Sequence, residues 1–448
     1  MDGLFYNMDC RAGAREHLPD ASVDLIVTDP PYGIGGDALD KHYNRDESRV
    51  VGGYVDVDAG DYPAFSREWT AEAARVLRPG GRIFVVSGYT RLPDVIGGLD
   101  ASGLRAVNHI IWKFNFGVWT TRKFVSSHYH ILLYEKPPGA PLEPVSDPGA
   151  DGDVWIIQRE YRPGQKKNKN QLPSKLLARM IQLGSRPGDL VCDFFLGSFS
   201  TACVARQMGR RSVGFELNPE AYAFGSAQYL AASGPAAPPD VVAPRAAAVA
   251  TLPAAAAAYE WDAADDSPID LLLYRGGLAP SARWTESAAR SLAPGGSVFV
   301  VVPPAAVLDA LRRLRAAGLA EINHVVWYTP QPAPSGPGLR CEHQHILFYA
   351  KRGRRVFNTY ERFRQDERFA GGGSMNYADR EDVWLCGPAP AAGCPRGTAW
   401  RHVAQKIVDY CTAAGSAVAY AGDPRFAADA RDAALGKQGR AFRTVGCG

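Results

Sequence analysis

The chain has 448 residues, of which 46% are hydrophobic and 22% are charged. These values are ordinary for a globular protein, and the length suggests two or three domains. The formal net charge is only +3, which excludes a uniformly basic protein, so affinity for a polyanion must come from local patches. The N-terminus lacks a signal-peptide pattern, no apolar run is long enough for a membrane helix, and the eight cysteines form no Cys-x-x-Cys pair. We therefore expect a cytoplasmic protein with reduced thiols and no membrane contact.

Short apolar segments alternate with amphipathic segments along the first half of the chain. The apolar runs are typical of buried strands, and the amphipathic segments repeat their apolar residues with the period of a helix. Such alternation predicts an α/β fold with a doubly wound, mostly parallel sheet. The strand segments are VDLIVTD, RIFVVSG, DLVCDFFLG and RRSVGFELN, and the helix segments are SREWTAEAARVLRPGG, LPSKLLARMIQLGS and FSTACVARQMG.

The first of these strands ends in an unusual turn, Asp29-Pro30-Pro31-Tyr32. In a parallel sheet, ligands bind beyond the carboxyl ends of the strands, where this turn would lie. Asp29 can accept a hydrogen bond from an exocyclic amine, the carbonyl of Pro30 can accept the other amine hydrogen, and Tyr32 can stack on a flat ring. The turn therefore predicts a site for a planar heterocycle that carries an amine. A plain Asp-Pro turn after a strand is the alternative.

A second pair of strands also ends in acids. Asp193 ends one strand, Gly197 follows in a turn that opens a helix, and Glu216 ends the next strand 23 residues after Asp193. This order suits an adenosine cofactor whose ribose hydroxyls are held by the second acid. A phosphate-binding loop is excluded because no Gly-Lys-Ser/Thr follows.

The two halves of the chain are related to each other. Three separate segments recur at a constant spacing of 215 residues, as shown by the pairs Trp69 and Trp284, Asn108 and Asn323, and His128 and His343. A constant spacing over separate segments indicates an internal duplication. Between the copies, residues 231–263 are rich in Ala and Pro and are typical of a linker. We therefore predict domains at residues 1–230 and 264–448.

The stretch CEHQH is a possible metal site. On a strand, Cys341, His343 and His345 would share one face, as metal ligands can. The position that matches Cys341 in the first copy is Ser126, which removes one ligand from the pattern. We therefore favour a structural strand and predict no metal.

Taken together, the Asp-Pro-Pro-Tyr motif and the later GFELNPEAY segment resemble the beta class of DNA amino-methyltransferases. In that class the catalytic motif precedes the cofactor motif, as it does here, and the resemblance extends over roughly residues 1–225. It implies a Rossmann-like methyltransferase fold, duplicated in this chain, with S-adenosylmethionine as the cofactor. The residues implied to hold and orient the target base are Asp29, Pro30, Pro31 and Tyr32. The residues implied to bind the cofactor are Asp9, Asp193, Phe195, Gly197, Ser198, Glu216 and Asn218.

The implied reaction is transfer of a methyl group to the exocyclic amine of a base flipped out of double-stranded DNA. Asp29 favours N6 of adenine, because cytosine-N4 enzymes of this family more often carry Ser at that position; cytosine N4 is the nearest alternative. Phe199 occupies a place where the family usually has glycine, and we expect its side chain to narrow the cofactor site. This departure leaves a catalytically weak DNA-binding or regulatory protein as a further alternative.

Two basic stretches are candidates for DNA contact, with solvated loop charge as the alternative. The first, residues 162–171, contains Lys166, Lys167 and Lys169, and the second, residues 351–369, contains Arg354, Arg355, Arg362 and Arg364.

The second copy lacks the acids of the first. Arg275, Tyr420 and Arg443 stand where the first copy has Asp29, Asp193 and Glu216. We therefore predict that the second half is catalytically inactive. The chain would then work as an internal pseudo-dimer rather than a symmetric homodimer, with a cognate restriction nuclease as a possible partner.

Overall fold

The computed structural model describes residues 3–33, 56–114, 120–139, 142, 152–160, 171–231, 268–329, 338–358, 381–384, 398–436 and 440–444. The chain forms two compact units. The first comprises Met1–Asn115, His128–Thr251 and Pro332–Cys341, and the second comprises Phe116–Ser127, Leu252–Gln331 and Glu342–Gly448. A short segment of each half therefore belongs to the other unit. The predicted linker lies outside the described residues except for Ala231, so the predicted domain boundaries stay predictions.

An eight-stranded sheet forms the centre of the first unit, with the order β1-β8-β7-β2-β3-β5-β4-β6. Strand β5 is antiparallel to both of its neighbours, and the other neighbouring pairs are parallel. The strands are β1 Gly3–Tyr6, β2 Val23–Thr28, β3 Leu77–Ser87, β4 Arg105–Lys113, β5 His128–Glu135, β6 Val154–Ile156, β7 Leu190–Asp193 and β8 Arg211–Phe215. The helices are α1 Cys10–His17, α2 Tyr62–Val76, α3 Leu92–Ala101, α4 Ser174–Gly184, α5 Ser200–Gln207 and α6 Pro219–Ala231.

Strand β2 lies in the middle of this sheet because both of its faces are apolar. Leu25 and Val27 belong to a buried cluster that includes Leu177 and Met180 of α4. Ile26, whose side chain points to the opposite face, is also fully buried. A strand that is apolar on both faces needs cover on both sides, and this is the doubly wound arrangement that the sequence predicts. The fold prediction is confirmed.

One predicted boundary is wrong. The segment SREWTAEAARVLRPGG is predicted to be helical through Pro-Gly-Gly, but α2 ends at Val76 and Leu77–Gly81 already belongs to β3. The pairing of β2 with β3 shifts register between Val23 and Leu25, so the longer β3 is accommodated by an irregularity. The pairing of β3 with β2 sets the end of α2, and the residues near this boundary do not predict that pairing from their local sequence.

A seven-stranded sheet forms the second unit, with the order β13-β11-β12-β10-β9-β14-β15. The strands are β9 Ile269–Arg275, β10 Leu292–Val302, β11 Ala320–Tyr328, β12 His343–Ala350, β13 Val383–Trp384, β14 Ala417–Tyr420 and β15 Ala441–Thr444. The helices are α7 Ala282–Ser291, α8 Val307–Ala316, α9 Thr398–Cys411 and α10 Ala427–Leu435, with 3₁₀ helices at Pro304–Ala306 and Pro424–Phe426. Of the helices in the described ranges, none has the length and apolar character that crossing a bilayer requires.

The strand order of the second sheet repeats that of the first, without a described counterpart of β1. The pairing of β4 with β5 shifts register between Ala106 and Asn108, and the pairing of β11 with β12 shifts between Glu321 and Asn323. An internal duplication predicts such shared irregularities. In the second unit, His343 and His345 lie on β12, where a ring nitrogen of His345 lies 2.7 Å from one of His324.

Candidate active site

A cavity of about 730 Å³ lies at the carboxyl ends of the central strands of the first unit. Its walls come from the residues that follow β1, β2, β7 and β8, together with residues of and before α2. Parallel strands bring their carboxyl ends to the same edge, so turns that are far apart in sequence meet here. All the residues that the sequence assigned to base or cofactor line this cavity: Asp9, Asp29, Pro30, Pro31, Tyr32, Asp193, Phe195, Gly197, Ser198, Glu216 and Asn218.

The carboxyl group of Asp29 is buried at this edge. Tyr32 hydrogen-bonds to it, while Oδ1 has no hydrogen-bond partner among the described residues. Burial raises the pKa of Asp29 to about 8, and the nearby charge of Asp193 acts in the same direction. The hydrogen bond from Tyr32 and the charge of Arg159 oppose this shift. A buried acceptor without a partner is costly, so Oδ1 is suited to receive a hydrogen bond from a ligand.

The turn after Asp29 is held on several sides. The hydroxyl of Tyr62 donates a hydrogen bond to the carbonyl of Pro31. The backbone N–H of Gly33 donates to Oδ1 of Asp56 at 2.7 Å, and Gly33 takes a positive φ of 59°. Tyr32 is buried, and its ring stacks on Tyr129 with the centroids 5.4 Å apart. These contacts pre-organise the turn.

Asp193 and Glu216 hold the backbone of the second set of turns. Asp193 accepts hydrogen bonds from the Thr28 hydroxyl at 2.9 Å and the backbone N–H of Phe195 at 3.0 Å. The two oxygens of Glu216 accept hydrogen bonds from the backbone N–H groups of Gly197 and Asn218, at 2.7 and 2.8 Å. Burial raises the pKa of Asp193 to about 6 and also raises the pKa of Glu216. Each carboxylate oxygen can accept more than one hydrogen bond, so Glu216 retains acceptor capacity for a ligand.

Asp9 has a role that the sequence did not predict. It caps the N-terminus of α1 by accepting a hydrogen bond from the backbone N–H of Arg11 at 2.8 Å. It also accepts hydrogen bonds from the guanidinium of Arg11 at 3.0 and 2.8 Å, which lower the pKa of Asp9. Arg11 reaches Glu68 of α2 as well, at 2.6 Å.

The cavity is strongly acidic. Among its described lining residues, eight are carboxylic acids and one, Arg11, is a cation. The acids are Asp9, Asp29, Asp56, Asp58, Asp61, Glu68, Asp193 and Glu216. Such a lining disfavours a polyphosphate and favours a cationic ligand, because clefts of one sign concentrate the opposite charge. A sulfonium compound with an adenosine moiety fits this charge. No sequence motif indicated that the acids on α2 and just before it belong to this site; these acids are Asp56, Asp58, Asp61 and Glu68.

The expectation about Phe199 is wrong. This residue is fully buried and does not line the cavity. Its ring instead packs in a cluster with Leu196, Ala202 and Tyr229. The side chain of Phe199 therefore does not narrow this cavity.

Only part of the predicted DNA-contact surface is described. Arg354 is exposed. Arg355 is half-buried, donates a hydrogen bond to the carbonyl of Arg122 at 2.7 Å and lies over the ring of Phe348. The remaining candidates lie outside the described residues: Lys166, Lys167, Lys169, Arg362 and Arg364.

The model of a DNA methylase family, the N6/N4 methyltransferases, matches residues 23–227. This match covers less than half of the 448 residues. Two curated relatives are type II methyltransferases, each 29% identical. M.HpaI of Haemophilus parainfluenzae aligns over 46% of this chain and 68% of its own length, and M.BamHI of Bacillus amyloliquefaciens over 48% and 54%.

Two solved structures are also similar to part of the chain. The cytosine-N4-specific PvuII DNA methyltransferase is 19% identical with a TM-score of 0.41, over 50% of this chain and 86% of that one. M1.HpyAVI, solved with S-adenosylmethionine, is 19% identical with a TM-score of 0.39, over 51% and 98%.

The family model and the curated relatives agree on the general activity of this segment. The methylase segment is an S-adenosylmethionine-dependent DNA methyltransferase that acts on an exocyclic amine, N6 or N4. This is the reaction and the cofactor that the sequence predicted, at the level of the family.

Proposed function

We propose that the chain methylates N6 of adenine in double-stranded DNA. The buried Oδ1 of Asp29, which has no hydrogen-bond partner among the described residues, carries this proposal. It lies in a turn held by Tyr62 and beside an acidic cavity that suits a sulfonium cofactor. When bound, S-adenosylmethionine would supply an electrophilic methyl group, whose bond to the sulfonium sulfur breaks to leave a neutral thioether.

In this proposal, Asp29 accepts one hydrogen bond from the target amine and the carbonyl of Pro30 accepts the other. The amine nitrogen gains positive charge as its bond to the methyl carbon forms, and the carboxylate stabilises that charge. With its pKa raised to about 8, Asp29 is also basic enough to take the proton that the nitrogen then loses. Tyr32 stacks on the flipped base.

In this proposal, residues in the turns after β1, β7 and β8 would hold the cofactor. Glu216 would accept hydrogen bonds from the ribose hydroxyls of the cofactor, and Asp9 would contact the adenine ring of the cofactor. Asp193, Phe195, Gly197, Ser198 and Asn218 complete the lining.

Adenine is proposed because the motif begins with Asp29, whereas cytosine-N4 enzymes of this family more often begin it with Ser. Cytosine N4 is the second candidate, since its amine offers the same hydrogen-bond donors. Modified-base sequencing of DNA from cells that express the chain distinguishes the two. N6-methyladenine at a recurring sequence supports the proposal, and N4-methylcytosine alone overturns the assignment to adenine. The third possibility, a catalytically weak DNA-binding protein, loses support because Phe199 does not line the cavity.

We propose further that the second unit has no active site of its own. Arg275 ends β9, and its guanidinium carbon lies 3.5 Å from the ring centroid of Phe426 and 5.1 Å from that of Trp400. The Tyr420 hydroxyl donates a hydrogen bond to the carbonyl of Asp423 at 2.8 Å. An arginine packed on aromatic rings thus stands at the strand end where the first unit has Asp29. Calorimetry should give one S-adenosylmethionine bound per chain; two would contradict the proposal.

The basic residues of the second half are proposed to contact DNA. Neutralising Arg354, Arg362 and Arg364 should weaken DNA binding. It should also flatten the log–log slope of affinity against salt concentration by about 0.9 for each phosphate that the variant no longer neutralises. Arg355 is left in place because it packs on Phe348. Unchanged DNA affinity and site choice would mean that this half is only a scaffold.

A further inference from the structure

Arg159 lies in an aromatic pocket of the first unit, three residues after the end of β6. Its guanidinium carbon is 4.5 Å from the ring centroid of Phe114, 5.2 Å from that of Tyr129 and 5.4 Å from that of Trp112. All three distances are within the reach of cation–π attraction. Three rings from β4, β5 and the residue after β4 therefore hold one positive charge.

This charge is coupled to the proposed catalytic turn. Tyr129, which contacts Arg159, is also the ring on which Tyr32 stacks. The positive charge of Arg159 acts on both Asp29 and Tyr32 and favours their ionised forms. Among the described residues, Arg159 is the cation that acts on Asp29 in this way.

The other described groups that act on Asp29 do not supply a positive charge. Burial and the carboxylate of Asp193 both disfavour ionisation of Asp29, and Glu216 in turn acts on Asp193. Tyr32 offers a neutral hydrogen bond. Without Arg159, burial and the negative charge of Asp193 would both disfavour the carboxylate form of Asp29, which must accept a hydrogen bond from the target amine. The cation–π contacts hold the guanidinium in place, whereas a direct ion pair would neutralise its charge.

We propose that Arg159 is a positioning residue for methyl transfer: from its aromatic pocket it places a positive charge near the turn that holds Asp29 and supports, through Tyr129, the Tyr32 ring that receives the flipped base. This role rests on the proposed function of Asp29 and Tyr32. It assigns a task to a residue more than 120 positions away from the motif in sequence.

The test is the pH dependence of kcat/KM for DNA, at saturating S-adenosylmethionine, in the wild type, R159K and R159Q. Asp29 acts in its ionised form, so activity should rise with pH through the pKa of Asp29. Removing the cation should move this rise to higher pH. Arg159 is the smallest of the influences on the pKa of Asp29, so R159Q should lose up to about tenfold at pH 7 and recover towards the wild type above pH 9. R159K, which keeps the charge, should retain most of the activity at pH 7.

Arg206 provides a matched control. It is half-buried and lies 4.9 Å from the ring centroid of Tyr229, but it does not act on Asp29. R206Q should therefore leave the pH profile unchanged. An equal loss in R159Q at every pH, without rescue in R159K, would make Arg159 a packing residue and overturn the proposal, as would an unchanged profile.

A second measurement does not depend on catalysis. The ¹³C titration of the Asp29 carboxyl, assigned with D29N, should show a higher midpoint in R159Q than in the wild type. An unchanged midpoint overturns the proposal even if R159Q is inactive. A wild-type chain that methylates no DNA would instead overturn the proposed function, and the titration would still report the coupling of Arg159 to Asp29.

Discussion

The ring of Phe199 occupies the space that Gly225 of α6 leaves open. A Cβ atom at Gly225 would overlap ring carbons of Phe199. Phe199 takes a left-handed φ of 62°, a conformation that favours glycine, and its ring contacts Phe5 at a centroid distance of 4.8 Å. The turn before α5 therefore keeps the shape of a glycine turn, while the side chain points away from the cavity.

Because of this relationship, Gly225→Ala should destabilise the first unit. The added methyl group must displace the Phe199 ring, and overpacking of a core typically costs about 1–3 kcal/mol. Urea unfolding measures the effect, with Ser226→Ala on the same helix as the control. The double variant F199G/G225A should be less destabilised than the sum of its single variants, since the overlapping ring is gone. Strict additivity would show that the two residues are not coupled.

Asp29→Ala should abolish most methyl transfer and leave S-adenosylmethionine binding intact. Loss of a well-placed acceptor in a preorganised site should reduce the rate by about 10²–10³. Single-turnover transfer to DNA and calorimetry with the cofactor separate the two properties. Asp20→Ala removes an exposed partner of Arg75 and serves as the control. Turnover close to that of the wild type would remove Asp29 from the proposed mechanism.

Glu216→Gln should weaken cofactor binding. The side-chain amide presents N–H donors to a site in which both oxygens accept from backbone N–H groups. Loss of hydrogen bonds to a charged acceptor costs about 1.5–3 kcal/mol, which corresponds to an increase in Kd of about ten- to 150-fold. Calorimetry tests this, with exposed Glu220 on α6 changed to Gln as the matched control. If both variants bind the cofactor like the wild type, the acid at 216 has a purely structural role.

The raised pKa of Asp29 also predicts a pH-dependent stability. The folded protein retains this proton up to about pH 8, whereas the unfolded chain releases it near 3.8, so the unfolded state binds fewer protons in between. The contribution of Asp29 to stability is therefore complete below pH 3.8 and is lost as the pH rises to about 8. Asp29→Asn removes this titration, so the variant should gain stability relative to the wild type between pH 5 and pH 9, by about 1.4 kcal/mol for each pH unit up to about pH 8. Urea unfolding at both pH values is the measurement, and a constant difference would contradict the buried, protonated state.

A chain that ends near Ser233 should be unstable and inactive. It lacks Pro332–Cys341, which belong to the first unit. Within that unit, the side chain of Asn108 donates to the carbonyl of Leu339 at 3.0 Å and accepts from its N–H at 2.7 Å, and the N–H of Asp153 donates to the carbonyl of Arg340 at 3.0 Å. Thermal unfolding and methyl transfer by the shortened chain test this. Full activity of the shortened chain would show that the second half is dispensable.

Much of the site is determined by the sequence alone. Asp29, Asp193 and Glu216 each follow a short apolar run, and the strand–helix alternation dictates that such runs lie parallel in one sheet. Their carboxyl ends must then meet at one edge, which is why residues from Asp9 to Asn218 line a single cavity. Local patterns are enough because a residue that follows the end of a parallel strand must lie at the same edge of the sheet as the residues that follow its neighbouring strands.

The tertiary structure decided what depends on packing between distant segments. The sequence shows a phenylalanine at a glycine position, but only Gly225 on α6 explains where the ring goes. Arg159 acts on Asp29 because β4, β5 and β6 bring its aromatic pocket next to the turn after β2. The assignment of Phe116–Ser127 to the second unit and of Pro332–Cys341 to the first likewise follows from contacts between residues that are far apart in the chain. Such contacts depend on shape and volume in three dimensions, and no periodicity along the chain encodes them.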